Sequence, residues 1–213
     1  ETKKAVAATV KGFEDMVKVF DKATQMKRGE RLIEGAFFGR ARTDGNDLGY
    51  ESIVASGSHA CILHWIKNDG DVLDGDLILI DAGVEVESLY TADVTRCFPI
   101  NGKFSPAQRE IYELVYAAQR AGIEAIKPGV EFKEITAASH RVLAAGLEKM
   151  GVLPVTAEES MRPEVGLHRR WTVHGVSHML GLDVHDCDGS RSENYRDGKL
   201  HAGMILTVEP GLY

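Results

Sequence analysis

No stretch of the 213-residue chain is apolar enough to cross a bilayer: the longest uninterrupted apolar run, Leu114 to Ala118, has five residues, against the ~18 or more that a membrane helix needs. No charged-then-apolar leader opens the sequence, and Glu1 falls inside a helical pattern, so the chain reads as excised from something longer. A basic block is also missing. With 25 Lys and Arg against 32 Asp and Glu, the net charge is −7, which argues against a nucleic-acid footprint. Cysteine is scarce: Cys61, Cys97 and Cys187 form no C-x-x-C pair, so neither a disulfide framework nor a structural zinc site is implied. They are expected to be buried thiols acting as small hydrophobes in a reducing cytoplasm. Signatures of nucleotide binding and of zincins are absent, and Met179 stands where a G-x-S-x-G elbow around Ser177 needs glycine.

What remains is an ordinary globular composition, 44% hydrophobic and 27% charged. Val6, Val10, Phe13, Val17 and Phe20 predict one helix stripe, and Leu32, Ile33, Ala36 and Phe37 a shorter one. After the loop-forming segment Thr43 to Gly49, strands are expected at Ile53 to Val54 and Cys61 to Leu63, then at Leu77 to Ile80 and Tyr90 to Phe98 as a hairpin. Ser105-Pro106-Ala107-Gln108 is a capping box opening a helix that Pro128-Gly129 ends, and another helix is expected from about Glu131 to Met150 with Gly151 as its stop. Strand-like pieces return around Trp171 to Val173, Leu180 to Val184 and Met204 to Glu209, giving an α+β plan.

Two segments echo each other. Gly75 to Asp81 and Gly203 to Glu209 each run from glycine through a mostly apolar strand to an acid six positions on, which reads as a duplication or as two unrelated strands with polar ends. An acid closing a buried strand needs a partner, so Asp81 calls for a donor cluster, a cation or a metal. A hairpin turning near Gly83 to Ser88 can return Asp93 beside it, and two facing carboxylates must share a proton or a divalent ion. Glu209 makes a third acid and favours the ion. His174, His178 and His185 crowd into twelve residues, a density that suggests one ligand with acid/base or transition-state helpers, and the spacing leaves open which is the ligand. Carboxylates with one imidazole suit Mn²⁺, Co²⁺ or Zn²⁺, and several bridging acids suggest two ions, hence metal-assisted hydrolysis.

D-A-G at Asp81, A-D-V-T-R around Asp93, H-G-V-S-H-M-L-G-L-D-V-H-D from His174 and T-V-E-P-G-L-Y from Thr207 together resemble the pita-bread metallopeptidases, specifically the bacterial Xaa-Pro aminopeptidases of the aminopeptidase P and prolidase group. The resemblance implies a pseudo-twofold α+β catalytic domain over residues 1–213, incomplete at its C-terminal end. It implies Asp81, Asp93, His178 and Glu209 as metal ligands, with the family's fifth ligand expected on a strand beyond Tyr213. His64, His174 and His185 become substrate and transition-state contacts, and Tyr50 a supporting one. Two divalent ions, manganese first, would supply the attacking water while Glu209 handles its proton. The implied substrates are peptides with proline in second position and the implied assembly is a homo-oligomer, with no nucleic acid or membrane partner. An Xaa-Pro dipeptidase and a non-catalytic peptide-binding module on the same fold are the alternatives. The Asp81 to Asp93 spacing of twelve is one residue longer than the commonest in the family, an excess expected in the hairpin loop.

Overall fold

Small residues decide which face of the first helix is buried. In the computed structural model, which describes residues 1–213, α1 spans Thr2–Val17 and α3 spans Gly29–Asp44, with the single turn α2 at Phe20–Ala23 between them. At Gly12 a side chain would stand 2.5 Å from the Phe37 ring of α3, so glycine there lets the two helices approach closely. Ala8, Phe13 and Met16 are buried in the same core as Phe37, Thr9 is buried where its hydroxyl accepts from the Val84 amide, and Ala5 is buried with Val86 and Ala92, while Val6, Val10 and Val17 are exposed. This corrects the expected valine stripe: close approach at glycine and alanine outweighs the larger side chains' hydrophobicity.

The chain forms two compact units, Glu1–Gln108 with Leu180–Asp186, and Arg109–Met179 with Cys187–Tyr213. In the first, β2 (Ile53–Ser56), β3 (Leu77–Ala82) and β5 (Val94–Pro99) form an antiparallel sheet in the order β2-β3-β5. A two-stranded ribbon pairs β1 (Asp47–Leu48) with β4 (Val84–Glu85). Ile78, Ile80 and Ala82 of β3 are buried with Phe13, Met16, Ile33, Phe37 and Val54, so the apolar run of β3 makes the floor of this core. The β3-β5 hairpin is as expected, but it turns at Val86 to Leu89, later than Gly83, because β4 first pairs with β1. Leu89 takes a positive φ of 64° in that turn. Cys61 to Leu63 is not a strand: Gly57–Cys61 is a 3₁₀ helix followed by turns, drawn in by contacts described below.

Helix α4 (Pro106–Ala125) opens with the expected reciprocal box, the Gln108 amide donating to the Ser105 hydroxyl at 3.2 Å and the Ser105 amide to Gln108 Oε1 at 2.8 Å. In the second unit α5 (Lys133–Lys149) ends before Gly151, whose φ is 70°. The short helix α6 (Ala157–Ser160) follows, capped by the Thr156 hydroxyl on the Glu159 amide. Phe132, Ile135, Val176, Tyr195 and Leu200 form one core here, and Ala144, Leu147 and Leu153 another.

The three late strands are not ladders. Residues 171–173 and 180–184 are irregular, with turns at 171 and 184 and bends at 181–183, and 204–209 makes only the bridge Met179↔Leu206. The reason is local. The Thr207 and Glu209 amides donate to the carbonyls of His178 and Val176, but the His178 amide donates to the Thr207 hydroxyl at 3.1 Å, so a side chain takes the donor that a ladder would give to the backbone. The cysteine expectation also fails in part. Cys61, at the end of the 3₁₀ helix, and Cys187, in a turn, are exposed, and only Cys97, on β5, is withdrawn from solvent, its thiol pushed up to about 11 by burial.

Candidate metal-binding residues

Asp81 is the fifth residue of β3, where the alternation that buries Ile78 and Ile80 turns its side chain to the opposite face. Its direct partner across the hairpin is Thr95, and Ala82 pairs with Val94, so Asp93 lies one step past the paired strand. The two acids are thus diagonal neighbours on one face, ~7 to 8 Å apart at the backbone, rather than the directly opposed pair expected. Tyr50 joins them: its hydroxyl lies 2.6 Å from Asp81 Oδ1 and 2.9 Å from Asp93 Oδ1. Burial first, then the two carboxylates, raise the Tyr50 phenol well above its ordinary value, so it remains a donor. Room for its ring comes from Gly83, where any side chain would meet the Ala92 carbonyl and stand 2.9 Å from the ring.

In the second unit His178 and Glu209 meet. His178 Nε2 is 2.9 Å from Glu209 Oε1, and the Thr207 hydroxyl donates to the same oxygen at 2.7 Å. His178 Nδ1 lies 2.9 Å from the Met179 carbonyl, which can only accept, so Nδ1 carries hydrogen and Nε2 is the ring atom that meets the carboxylate. A proton or a cation between Nε2 and the carboxylate oxygen satisfies both. The two carboxylates that share the Tyr50 hydroxyl in the first unit, and the oriented imidazole beside a carboxylate in the second, are each ligand types that suit a divalent ion. Thr207 escaped the sequence reading, although T-V-E puts its hydroxyl two residues before Glu209, on the same side of an extended segment.

The other histidines are placed differently. His174 Nδ1 donates to the Gly175 carbonyl at 2.7 Å and Nε2 accepts from the Tyr213 hydroxyl at 2.9 Å, with the rings edge to face. Tyr213 was not singled out from sequence, and nothing in its spacing would have done so. His185 is exposed on the segment Leu180–Asp186, which is tied to the first unit by the Thr91 amide on the Gly181 carbonyl. His64 is exposed at a turn of the first unit, with a positive φ of 55°.

Comparison with known proteins gives the context. Xaa-Pro aminopeptidase 1 of Streptomyces coelicolor is 56% identical over 213 residues, which is 100% of this chain and 43% of that protein. The Xaa-Pro aminopeptidase of Escherichia coli is 44% identical over 164 residues, 77% of this chain and 36% of the relative. Aminopeptidase PepP of Pseudomonas aeruginosa superposes with a TM-score of 0.87 at 36% identity, covering 100% of this chain and 46% of that one. Zn-substituted E. coli aminopeptidase P in complex with product gives 0.82 at 37%, covering 100% and 48%. The chain therefore spans less than half the length of these relatives, and its mixed helix and strand architecture agrees with the expected truncated pita-bread fold. No helix is long and apolar enough to cross a membrane. The model of metallopeptidase family M24 matches residues 1–213, and the chain belongs to that family.

Proposed function

We propose that this chain provides the hydrolytic centre of an Xaa-Pro aminopeptidase, with Asp81, Asp93, His178 and Glu209 as the side chains that hold divalent metal, two Mn²⁺ ions in the working enzyme. The observation that carries the metal reading is the orientation of His178: its Nδ1 is committed to the Met179 carbonyl, leaving Nε2 as a ligand atom beside Glu209. When bound, the metal supplies Lewis acidity that lowers the pKa of a water and neutralises developing charge.

The chain's own residues do the rest. Tyr50 orients the Asp81 and Asp93 carboxylates. Thr207 fixes one oxygen of Glu209, which handles the proton of the attacking water. His185 donates to the carbonyl oxygen as it gains charge, His174 does so once its Nε2 carries a proton instead of accepting from Tyr213, and His64 contacts the substrate.

The test is hydrolysis of Gly-Pro, Ala-Pro-Pro and Met-Ala-Ser by the whole protein, together with metal analysis. Metal-dependent release of alanine from Ala-Pro-Pro is expected, and Asp93→Asn should retain less than a tenth of wild-type activity, a loss above ~1.4 kcal/mol in the barrier. Preference for Gly-Pro points to a dipeptidase, and preference for Met-Ala-Ser to a methionine aminopeptidase. Metal loading without cleavage of any peptide points to a binding module. Activity of Asp93→Asn above a tenth rejects its assignment as a ligand.

A further inference from the structure

Glu30, in the first turn of α3, is a fully buried carboxylate. Its Oε1 accepts from the Ser56 amide at 2.8 Å and from His59 Nδ1 at 2.9 Å, and its Oε2 from the Trp65 indole at 2.9 Å and the Gly70 amide at 2.7 Å. All four donors come from one loop, residues 56–70, and they lie on both sides of His64. The His59 and Trp65 rings stack at 3.9 Å, and a side chain at Gly70 would stand 2.6 Å from His59 and 2.8 Å from the Glu30 carboxyl carbon. Nearby, Asn68 accepts from the Val54 amide and donates to the Ser52 carbonyl and to Glu34, also on α3.

Between these anchors His64 holds a left-handed conformation, with the Ile66 amide on its carbonyl at 2.8 Å. A residue with a Cβ adopts that conformation at a cost of ~1 to 2 kcal/mol, so its surroundings must impose it. Apolar burial does not: Ile62, Leu63 and Ile66 are all exposed. The buried carboxylate, with four of its contacts in the loop, and the buried Asn68 are the remaining constraints, and Glu30 alone reaches both sides of His64.

We propose that Glu30 is a positioning residue for His64, clamping the loop on both sides of it through hydrogen bonds that need acceptors on both carboxylate oxygens. This rests on the reading of His64 as a substrate contact. Glutamine has one acceptor oxygen, so Glu30→Gln must set its amide group against either the Ser56 and His59 donors or the Trp65 and Gly70 donors.

The test is a double-mutant cycle on kcat/KM for Ala-Pro-Pro in the whole, metal-loaded enzyme, paired with Trp65 fluorescence in a Trp171→Phe background. Glu30→Gln should lower kcat/KM about tenfold or more, the effect of losing hydrogen bonds to a charged group. It should have no further effect when His64→Ala is already present. Indole emission should shift as the charged acceptor of its N–H is replaced by a neutral amide group. Trp65→Phe keeps the ring on His59 but removes the donor; it should show a smaller loss that also vanishes in the His64→Ala background, and it carries the cycle if Glu30→Gln does not fold. Effects that multiply with a strong His64→Ala loss overturn the positioning role alone. An unchanged kcat/KM or unshifted emission in Glu30→Gln does the same. A His64→Ala enzyme with wild-type kcat/KM removes the substrate role of His64 and the positioning role with it.

Discussion

One hydroxyl proton serves one carboxylate at a time, yet Tyr50 lies within hydrogen-bond distance of both Asp81 and Asp93. In the metal reading that geometry makes Tyr50 the residue that orients two ligands at once. We predict that Tyr50→Phe leaves the fold intact and weakens metal retention about tenfold or more, the usual size of such an outer contact. Competition with a chelator measures it, and metal affinity within twofold of wild type excludes the role. The acids and the histidine cluster stand out in the sequence because strand-end carboxylates and crowded histidines are costly unless they have a task, while the choice of His178 within the cluster comes only from the family resemblance. Thr207, Tyr213 and Glu30 were not legible, since their importance comes from partners that only the fold supplies: Thr207 from the His178 amide, Tyr213 from His174, and Glu30 from donors 26 to 40 residues away.

At the scale of elements, α3 carries both a clamp and avoidable weakness. Gly35 and Gly39 lie on its exposed side, and a methyl group added at either would have nothing within 4 Å of it. Alanine at each should therefore stabilise the protein by ~0.5 to 1 kcal/mol through helix propensity and a less flexible unfolded chain. Gly83→Ala is the contrast. Its methyl would collide with the Ala92 carbonyl across the hairpin and crowd Tyr50, so a loss of ~1 to 3 kcal/mol is expected. Urea denaturation of the three variants tests the pair of claims, and equal effects at all three positions would show that local space is not what decides. The same locality explains what pattern reading found among the elements. Period and caps identified α4, α5 and the β3-β5 hairpin, because each is stabilised within its own segment. They gave strands at 61–63, where Glu30 draws the chain into turns, and at 204–209, where the Thr207 hydroxyl intercepts a backbone donor and no ladder forms.

For the whole molecule, acid acts most directly through the second unit. There His140 of α5 and His168 are buried together: His168 Nδ1 donates to the Ser160 carbonyl at 3.0 Å, and its Nε2 faces His140 Nδ1 at 3.3 Å. If both rings are neutral, His140 donates to His168 and its own buried Nε2, which has no partner, is a bare lone pair. Protonation there would bury an unpaired N–H. Burial first, then His168, Arg169 and His174, lower the His140 pKa from 6.5 to about 4, and burial lowers that of His168 as well. The unfolded chain takes these protons near pH 6.5 and the folded chain only nearer pH 4, so across that window the unfolded state binds more protons. Stability is full above pH 6.5 and falls as pH drops toward 4, by about 3 kcal/mol for His140. The depressed carboxylates of the first unit, Asp15 beside Lys18 and Arg40, and Asp44 beside Lys11 and Arg40, lose their contribution mainly as the unfolded carboxyls take protons near and below 3.8, at and beyond the acid end of that window. Hydrogen exchange at pH 7.5 and pH 5 should therefore show protection lost first in residues 109–179 and 187–213. His140→Leu, which removes the titrating group, should flatten the dependence on pH of the urea midpoint. If the variant keeps the wild-type slope between pH 6.5 and 4, or if the first unit loses protection first, the buried histidine pair is not the source of acid sensitivity.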